Sequence, residues 1–201
     1  MEIAPGTVNP ATRNDEVLCF LLTRRSRPPK TLKAPAPERA ELTELLTAAA
    51  RVPDHGKLEP WRFVVLERPA LERLAGDAGA YAAAKGIDEA TATKGINQFA
   101  DSPLCVAVIS VPRPTDKVPQ IEQTLSVGAA CYGLLSAALA AGWGAGWLTG
   151  WVAHDRDFAA SAFGLQEGEW VAGLVHIGTE GATPPERPRP DMGQIITWVE
   201  A

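Results

Sequence analysis

The chain has 201 residues, 46% hydrophobic and 21% charged, a size and balance that fit one soluble globular domain and exclude a mainly disordered polymer. A formal net charge of -5 gives no general attraction to nucleic-acid phosphates or anionic lipid surfaces. Cys19, Cys105 and Cys131 are odd in number and far apart, which argues against a disulfide framework and a zinc site and makes reducing cytoplasm the expected compartment.

Residues 1–15 hold no basic region followed by an apolar run and read as a flexible arm, leaving 16–201 as a single domain. Val17, Leu18, Phe20, Leu21 and Leu22 mark a short helix over 16–25 that Pro28 and Pro29 stop. The proline-rich "RRSRPPKTLKAPAP" then reads as an irregular connection. Leu42, Leu45, Leu46 and Ala49 follow helical spacing from Glu38 to Arg51, where Pro53 ends the helix. "PDHGKLEP" is a loop, and "WRFVVLE" is a strand in which Trp61, Phe63 and Val65 alternate as half-buried residues. Residues 69–100 read as alanine-rich helical pieces interrupted at Gly76, Gly79 and Gly86, a stretch expected to be mobile or to form a lid.

"LCVAVISV" (104–111) is a buried central strand, followed by a helix from Ile121 to Ala141. No formal charge occurs over 123–154, long enough to suggest a membrane span. Its glycines at 142, 144, 146 and 150, and the lack of flanking Lys/Arg clusters, favour a buried core helix with a glycine-rich connection. Further strands are expected at 145–149 and 170–179, then a coil, and "GQIITWVE" as a terminal strand or arm. The mixture lacks strict βαβ alternation, which predicts an α+β sandwich rather than a doubly wound sheet.

There is no GxGxxG after a strand, no GxxxxGK[ST] and no HExxH, and His55, His154 and His176 have no ligand spacing, so no metal is expected. "RRSR" sets three guanidiniums around one hydroxyl, either a phosphate grip or a cationic helix end favoured by the helix dipole. His55 is either a ligand or a turn residue. Arg51 is either a ligand or a helix-end charge. "GWGAGWLTG" combines glycines that allow close backbone approach with planar tryptophans, suiting a flat aromatic ligand or a packed turn.

In order, "RRSRP", "ARVPDHGKLEPWRFVVLE", "KVPQIEQTLSVGAACYGLLSAALAAGWGAGWLTG" and "VHIGT…PERPRPD" resemble the FMN-dependent nitroreductase family, and within it the small YdjA-like branch, over roughly 16–191. The resemblance implies an α+β sandwich with a mainly antiparallel sheet flanked by helices, in an intertwined homodimer with FMN at the subunit interface. By matching position it implies that Arg24, Arg25 and Ser26 bind FMN and that Arg51 and His55 come from the partner subunit. Trp147, Leu148 and Thr149 would complete the flavin pocket. Ala137, Ala138, Leu139, Ala140, Ala141 and Gly142 match the segment associated with nicotinamide nucleotide, and Arg187 or Arg189 would reach the phosphate.

The implied activity is NAD(P)H-dependent two-electron reduction of nitroaromatic, quinone or similar electron-poor acceptors, by ping-pong hydride transfer through flavin N5 and with no catalytic side chain. Alternatives are a dedicated flavin-dependent dehydrogenase or ring reductase of a biosynthetic pathway, or a non-catalytic FMN-binding protein. Two departures stand out. Glu59 occupies a position where relatives often carry glutamine or a basic residue, and Leu148 stands where some place arginine.

Overall fold

A computed structural model describes residue 4 and residues 6–200; the part of the expected arm at 1–3 and 5 lies outside the described residues, as does residue 201. The first helix, α1 (Asp15–Thr23), starts where Asn14 accepts a hydrogen bond from the Val17 N–H at 3.0 Å, with Asp15 and Glu16 against the positive end of the helix dipole. The proline-rich connection is not wholly irregular: Pro29–Thr31 form a 3-10 turn and Leu32–Lys33 a two-residue strand, β1. Helix α2 (Arg39–Ala49), strand β2 (Trp61–Leu66) and a 3-10 turn at His55–Lys57 between them follow.

The stretch 69–100 departs from expectation. Helix α3 (Arg68–Lys85) runs unbroken through Gly76 and Gly79 and stops at Gly86, whose left-handed φ of 65° caps it. Leu71, Leu74, Ala78 and Ala82 bury one face of α3, and that burial outweighs the roughly 1 kcal/mol each interior glycine costs. Helix α4 (Glu89–Ala100), N-capped by Asp88, packs on α3. The pair is part of a core, not a lid.

Strand β3 (Leu104–Ser110) is buried along its whole length. Helix α5 (Gln120–Ala140), strand β4 (Gly144–Leu148), two short helices α6 (Trp151–His154) and α7 (Arg156–Phe163), and strand β5 (Trp170–Glu180) complete the domain. A one-turn helix, α8 (Met192–Ile195), stands where a terminal strand or arm was expected, and Trp198 and Val199 beyond it are exposed.

The sheet order is β1-β5-β3-β2, with β4 also paired to β5, and each of these pairings is antiparallel. Alternation along β3 and β5 divides the core in two. Val106, Val108, Val175 and Ile177 face α2 and α5, where Leu45, Val127, Cys131 and Leu134 meet them. Cys105, Ala107, Ile109 and Leu174 face α3, α4, α6 and α7, where Leu71, Leu74, Phe99 and Phe158 meet them. Strand β2 contributes to both sides: Trp61 and Phe63 pack on the first and Val64 on the second, while Val65, expected half-buried, is exposed. Helix α5 has the length and composition of a membrane span, and its packing against the sheet is that of a core helix.

Candidate functional site

Three segments separated in sequence converge on one cleft of about 370 Å³, lined by residues of 24–28, 146–148 and 186–190. The first wall is the extended chain after α1. The Arg27 N–H donates to the Ala145 carbonyl at 2.7 Å, laying this chain beside β4. The approach is close enough that a Cβ at Gly146 would stand 2.3 Å from the Arg27 carbonyl oxygen, so only glycine fits there. The glycine of the "GAGW" run is therefore what brings the arginine run against the sheet.

Arg24, Arg25, Arg27, Arg187 and Arg189 all line the cleft. The carboxylates held among them are Glu180 and Glu186. Arg27 Nε lies 2.5 Å from Glu180 Oε2, and the Arg27 guanidinium also donates to the Arg25 carbonyl. Arg25 Nη1 donates to the Pro185 carbonyl at 2.5 Å and lies 3.3 Å from Glu186 Oε1. Arg189 Nη2 reaches Glu186 Oε2 at 2.9 Å and the Leu22 carbonyl at 2.5 Å, tying the C-terminal coil to the end of α1. A hydrogen bond from the Arg187 N–H, aided by the charges of Arg189 and Arg25, holds the Glu186 carboxyl below its ordinary range.

Five guanidiniums against two carboxylates leave the cleft electropositive. Arg24 extends this. Its Nη2 lies 3.3 Å from Ser26 Oγ and its guanidinium sits 5.7 Å from the Tyr132 ring centroid, yet its buried Nε has no hydrogen-bond partner. A buried donor left unpaired is costly. The same cleft carries an apolar, planar surface: Trp147, 38% exposed, and Leu148. Its indole lies over Gly173, where a Cβ would stand 2.1 Å from Nε1.

The sequence-predicted residues divide into three groups. Arg24, Arg25, Ser26, Trp147, Leu148, Arg187 and Arg189 share the cleft. Thr149 follows it without lining it, and its carbonyl accepts from Gln98 Nε2 at 2.7 Å. Arg51 and His55 do not line the cleft: Arg51 is exposed after α2, and His55 borders a separate groove of about 350 Å³ with Glu122 and Leu125. Glu59 lies on the His55 loop, its N–H bound to Asp54 Oδ2 at 2.7 Å.

Nor does the 137–142 segment line the cleft. It ends α5, with Ala138 fully buried in the core, Ala137 and Leu139 packed against that core, and Ala140, Ala141 and Gly142 exposed. Glu186 lines the cleft without having been singled out, and Arg27 and Gly146, read within "RRSR" and "GWGAGWLTG", line it without having been assigned to the flavin pocket. The fourth position of "RRSR" and the charge-rich "PERPRP" coil were the available signals for Arg27 and Glu186.

Among the described residues, no group of three or more His, Cys, Asp and Glu is placed to hold a metal. The lining combines guanidiniums with an indole and suits an organic anion with a flat apolar portion.

Comparison with known proteins agrees with this chemistry. The Nitroreductase family matches residues 21–179. A Haemophilus influenzae protein named "Putative NAD(P)H nitroreductase" is 39% identical over 165 residues, covering 82% of this chain and 88% of that protein. Escherichia coli YdjA, which carries the same description, is 33% identical over 164 residues, with 82% and 88% covered.

Among solved structures, a nitroreductase-like family protein from Bacillus cereus superposes with a TM-score of 0.75 at 22% identity, covering 97% of this chain and 100% of that one. A nitroreductase with bound FMN from Bacteroides fragilis gives 0.72 at 23% identity, covering 93% and 100%. With the family matched across β1 to β5, relatives above 30% identity over most of both chains and the same fold in solved members, the chain belongs to the nitroreductase family and is YdjA-like in kind.

Proposed function

We propose that the protein is an FMN-dependent NAD(P)H oxidoreductase that works as a homodimer and reduces nitroaromatic, quinone or similar electron-poor acceptors by two electrons. The observation that carries this reading is the cleft itself: five arginines, one with an orphaned buried Nε, line it together with an exposed indole in a chain of this family. The residues present fit FMN, with a phosphate for the guanidiniums and a flat ring system for the apolar wall. When bound, FMN supplies hydride chemistry at N5, taking two electrons from NAD(P)H and passing them to the acceptor.

The chain's own part is binding and orientation. Arg25, Arg187 and Arg189 would hold the phosphate through charge-assisted hydrogen bonds, with the Arg24 guanidinium lining the same cleft. Arg27 is committed to Glu180 and to the Arg25 carbonyl, so it steadies the wall. Trp147 and Leu148 would exclude water from one side of the ring system.

Arg51 and His55 would enter from the second subunit, a reading supported by their separation from the same-chain cleft and by exposed apolar side chains on α1 and α5. No residue of α1 is buried, and Ile121 and Leu125 of α5 are exposed. A reducing, cytoplasmic location belongs to this reading and is supported by the free thiols of Cys19, Cys105 and Cys131. Ala140, Ala141 and Gly142 are the part of the 137–142 segment open to a nicotinamide nucleotide.

The test is the visible spectrum of the purified protein, with the heat-released ligand identified by mass. Bands at about 370 and 450 nm and the mass of FMN are expected, with Arg25→Ala weakening FMN binding by about tenfold or more. A colourless protein that takes up no added FMN would sink the proposal. NAD(P)H oxidation dependent on an added acceptor then separates an enzyme from a flavin store.

A further inference from the structure

The loop 53–59 is strapped to the first turns of α5 by two contacts one helical turn apart. Ser126 Oγ donates to the Pro53 carbonyl at 2.8 Å, and His55 Nδ1 lies 2.6 Å from Glu122 Oε2. Three further contacts hold the same loop. The Arg113 guanidinium donates to the Leu58 and Glu59 carbonyls, each at 3.3 Å, and Asp54 Oδ2 accepts from the Glu59 N–H. The Val118 side chain packs 3.5 Å from where a Cβ on Gly56 would stand. These anchors hold Gly56, Lys57 and Glu59 at φ of 75°, 53° and 49°, a left-handed path that the two non-glycine residues resist. The imidazole therefore rides on a constrained loop, and its short contact with Glu122 follows from that path.

An ionised carboxylate only accepts hydrogen bonds, so Nδ1 of His55 must be the donor. In the neutral ring this leaves Nε2 as an acceptor. We propose that Glu122 is a positioning residue for His55: it keeps the ring proton on Nδ1 and so presents Nε2 to a hydrogen-bond donor of the flavin, a ribityl hydroxyl or the ring N3–H. This rests on the reading in which His55 reaches the FMN of the other subunit. It divides the recognition chemically. The phosphate, an acceptor, is met by the arginine cleft, and a donor elsewhere on the flavin is met by His55.

The test uses the full chain freed of flavin, with Glu122→Leu, Glu122→Gln and His55→Ala checked for native circular dichroism. Ring carbon and nitrogen NMR shifts of His55 should report the Nδ1–H tautomer in the wild type. In E122L they should report the Nε2–H tautomer that free imidazole favours in water, and E122Q, which keeps an acceptor, should retain Nδ1–H. Fluorescence titrations with FMN and with riboflavin, which lacks the phosphate, supply the second readout. E122L and H55A should each raise Kd about three- to tenfold for both ligands, the double variant should add nothing, and Arg25→Ala should weaken FMN alone.

An Nε2–H tautomer in the wild type, or E122L with unchanged tautomer and affinity, overturns the role of Glu122, while a loss in H55A still supports the ligand reading. Loss of FMN but not riboflavin affinity in E122L overturns the donor assignment. If H55A binds both flavins normally, the placement of His55 at the cofactor falls and this inference with it.

Discussion

On the side of the sheet covered by α3, α4, α6 and α7, rings of Tyr81, Phe99, Trp151, Phe158 and Phe163 stand 5.1 to 6.4 Å apart between centroids, and Leu71 and Leu74 are sealed beneath them. Trp151 Nε1 donates to the Thr91 carbonyl at 3.0 Å, and Gly95 lets that indole lie directly on α4. On α1 and the outer side of α5 the pattern reverses: Leu18, Leu22, Ile121 and Leu125 stand in solvent, Leu125 at 65% exposure. The first region is held together by contacts within one chain. The second exposes a run of apolar surface of the kind that marks an interface.

The strongest way to probe this contrast is Leu71→Ala. Removing a fully buried side chain from the completed side should cost about 2–5 kcal/mol in urea denaturation, with the cost unchanged on dilution. A loss that varies with protein concentration would show that this side, too, depends on a second chain.

Next comes His176. Its register opposite Cys105 turns it toward the completed side, where it is fully buried with neither ring nitrogen paired. Burial pushes its pKa down to about 3. Above pH 6.5 the ring is neutral folded or unfolded and contributes nothing. Below it the unfolded chain takes up a proton that the folded chain refuses, so stability is lost as pH falls from 6.5 toward 3. The loss should reach about 2 kcal/mol at pH 5 and vanish in His176→Leu, as read from urea midpoints at pH 7 and pH 5. Equal pH dependence in both proteins would mean that the imidazole finds a partner in the folded state.

The smallest effect on the chain itself is expected from Leu125→Asp. It should change the stability of the isolated chain by no more than about 0.5 kcal/mol while shifting sedimentation toward the monomer. If it unfolds the protein as Leu71→Ala does, the two regions are not separable.

Much of the fold was legible because its signals are local. The apolar runs of β3 and β5 and the helical spacing of Leu42, Leu45 and Ala49 survive without tertiary information. The continuity of α3 was not legible: a helix of alanine and glycine has little period of its own, and what holds it is packing on α4 and the sheet. The exposure of Val65 was hidden for a related reason, since alternation does not reveal where cover over a strand ends. In the site, "RRSR" and "GWGAGWLTG" announced two of the three segments that line the cleft. The pairing of His55 with Glu122, 67 residues apart, had no sequence signature, because a lone glutamate in a first helical turn reads as dipole compensation.

The contact between Gly146 and Arg27 bears on how rigid the cleft is. With the Arg27 backbone hydrogen-bonded to Ala145 and its carbonyl pressed onto a glycine, one side of the cleft is a fixed jaw, as rigid as the sheet behind it. The coil at 186–190, which lines the same cleft, is fastened instead through exposed side chains such as Glu186 and Arg189, so the two sides of the cleft differ in how firmly the fold holds them.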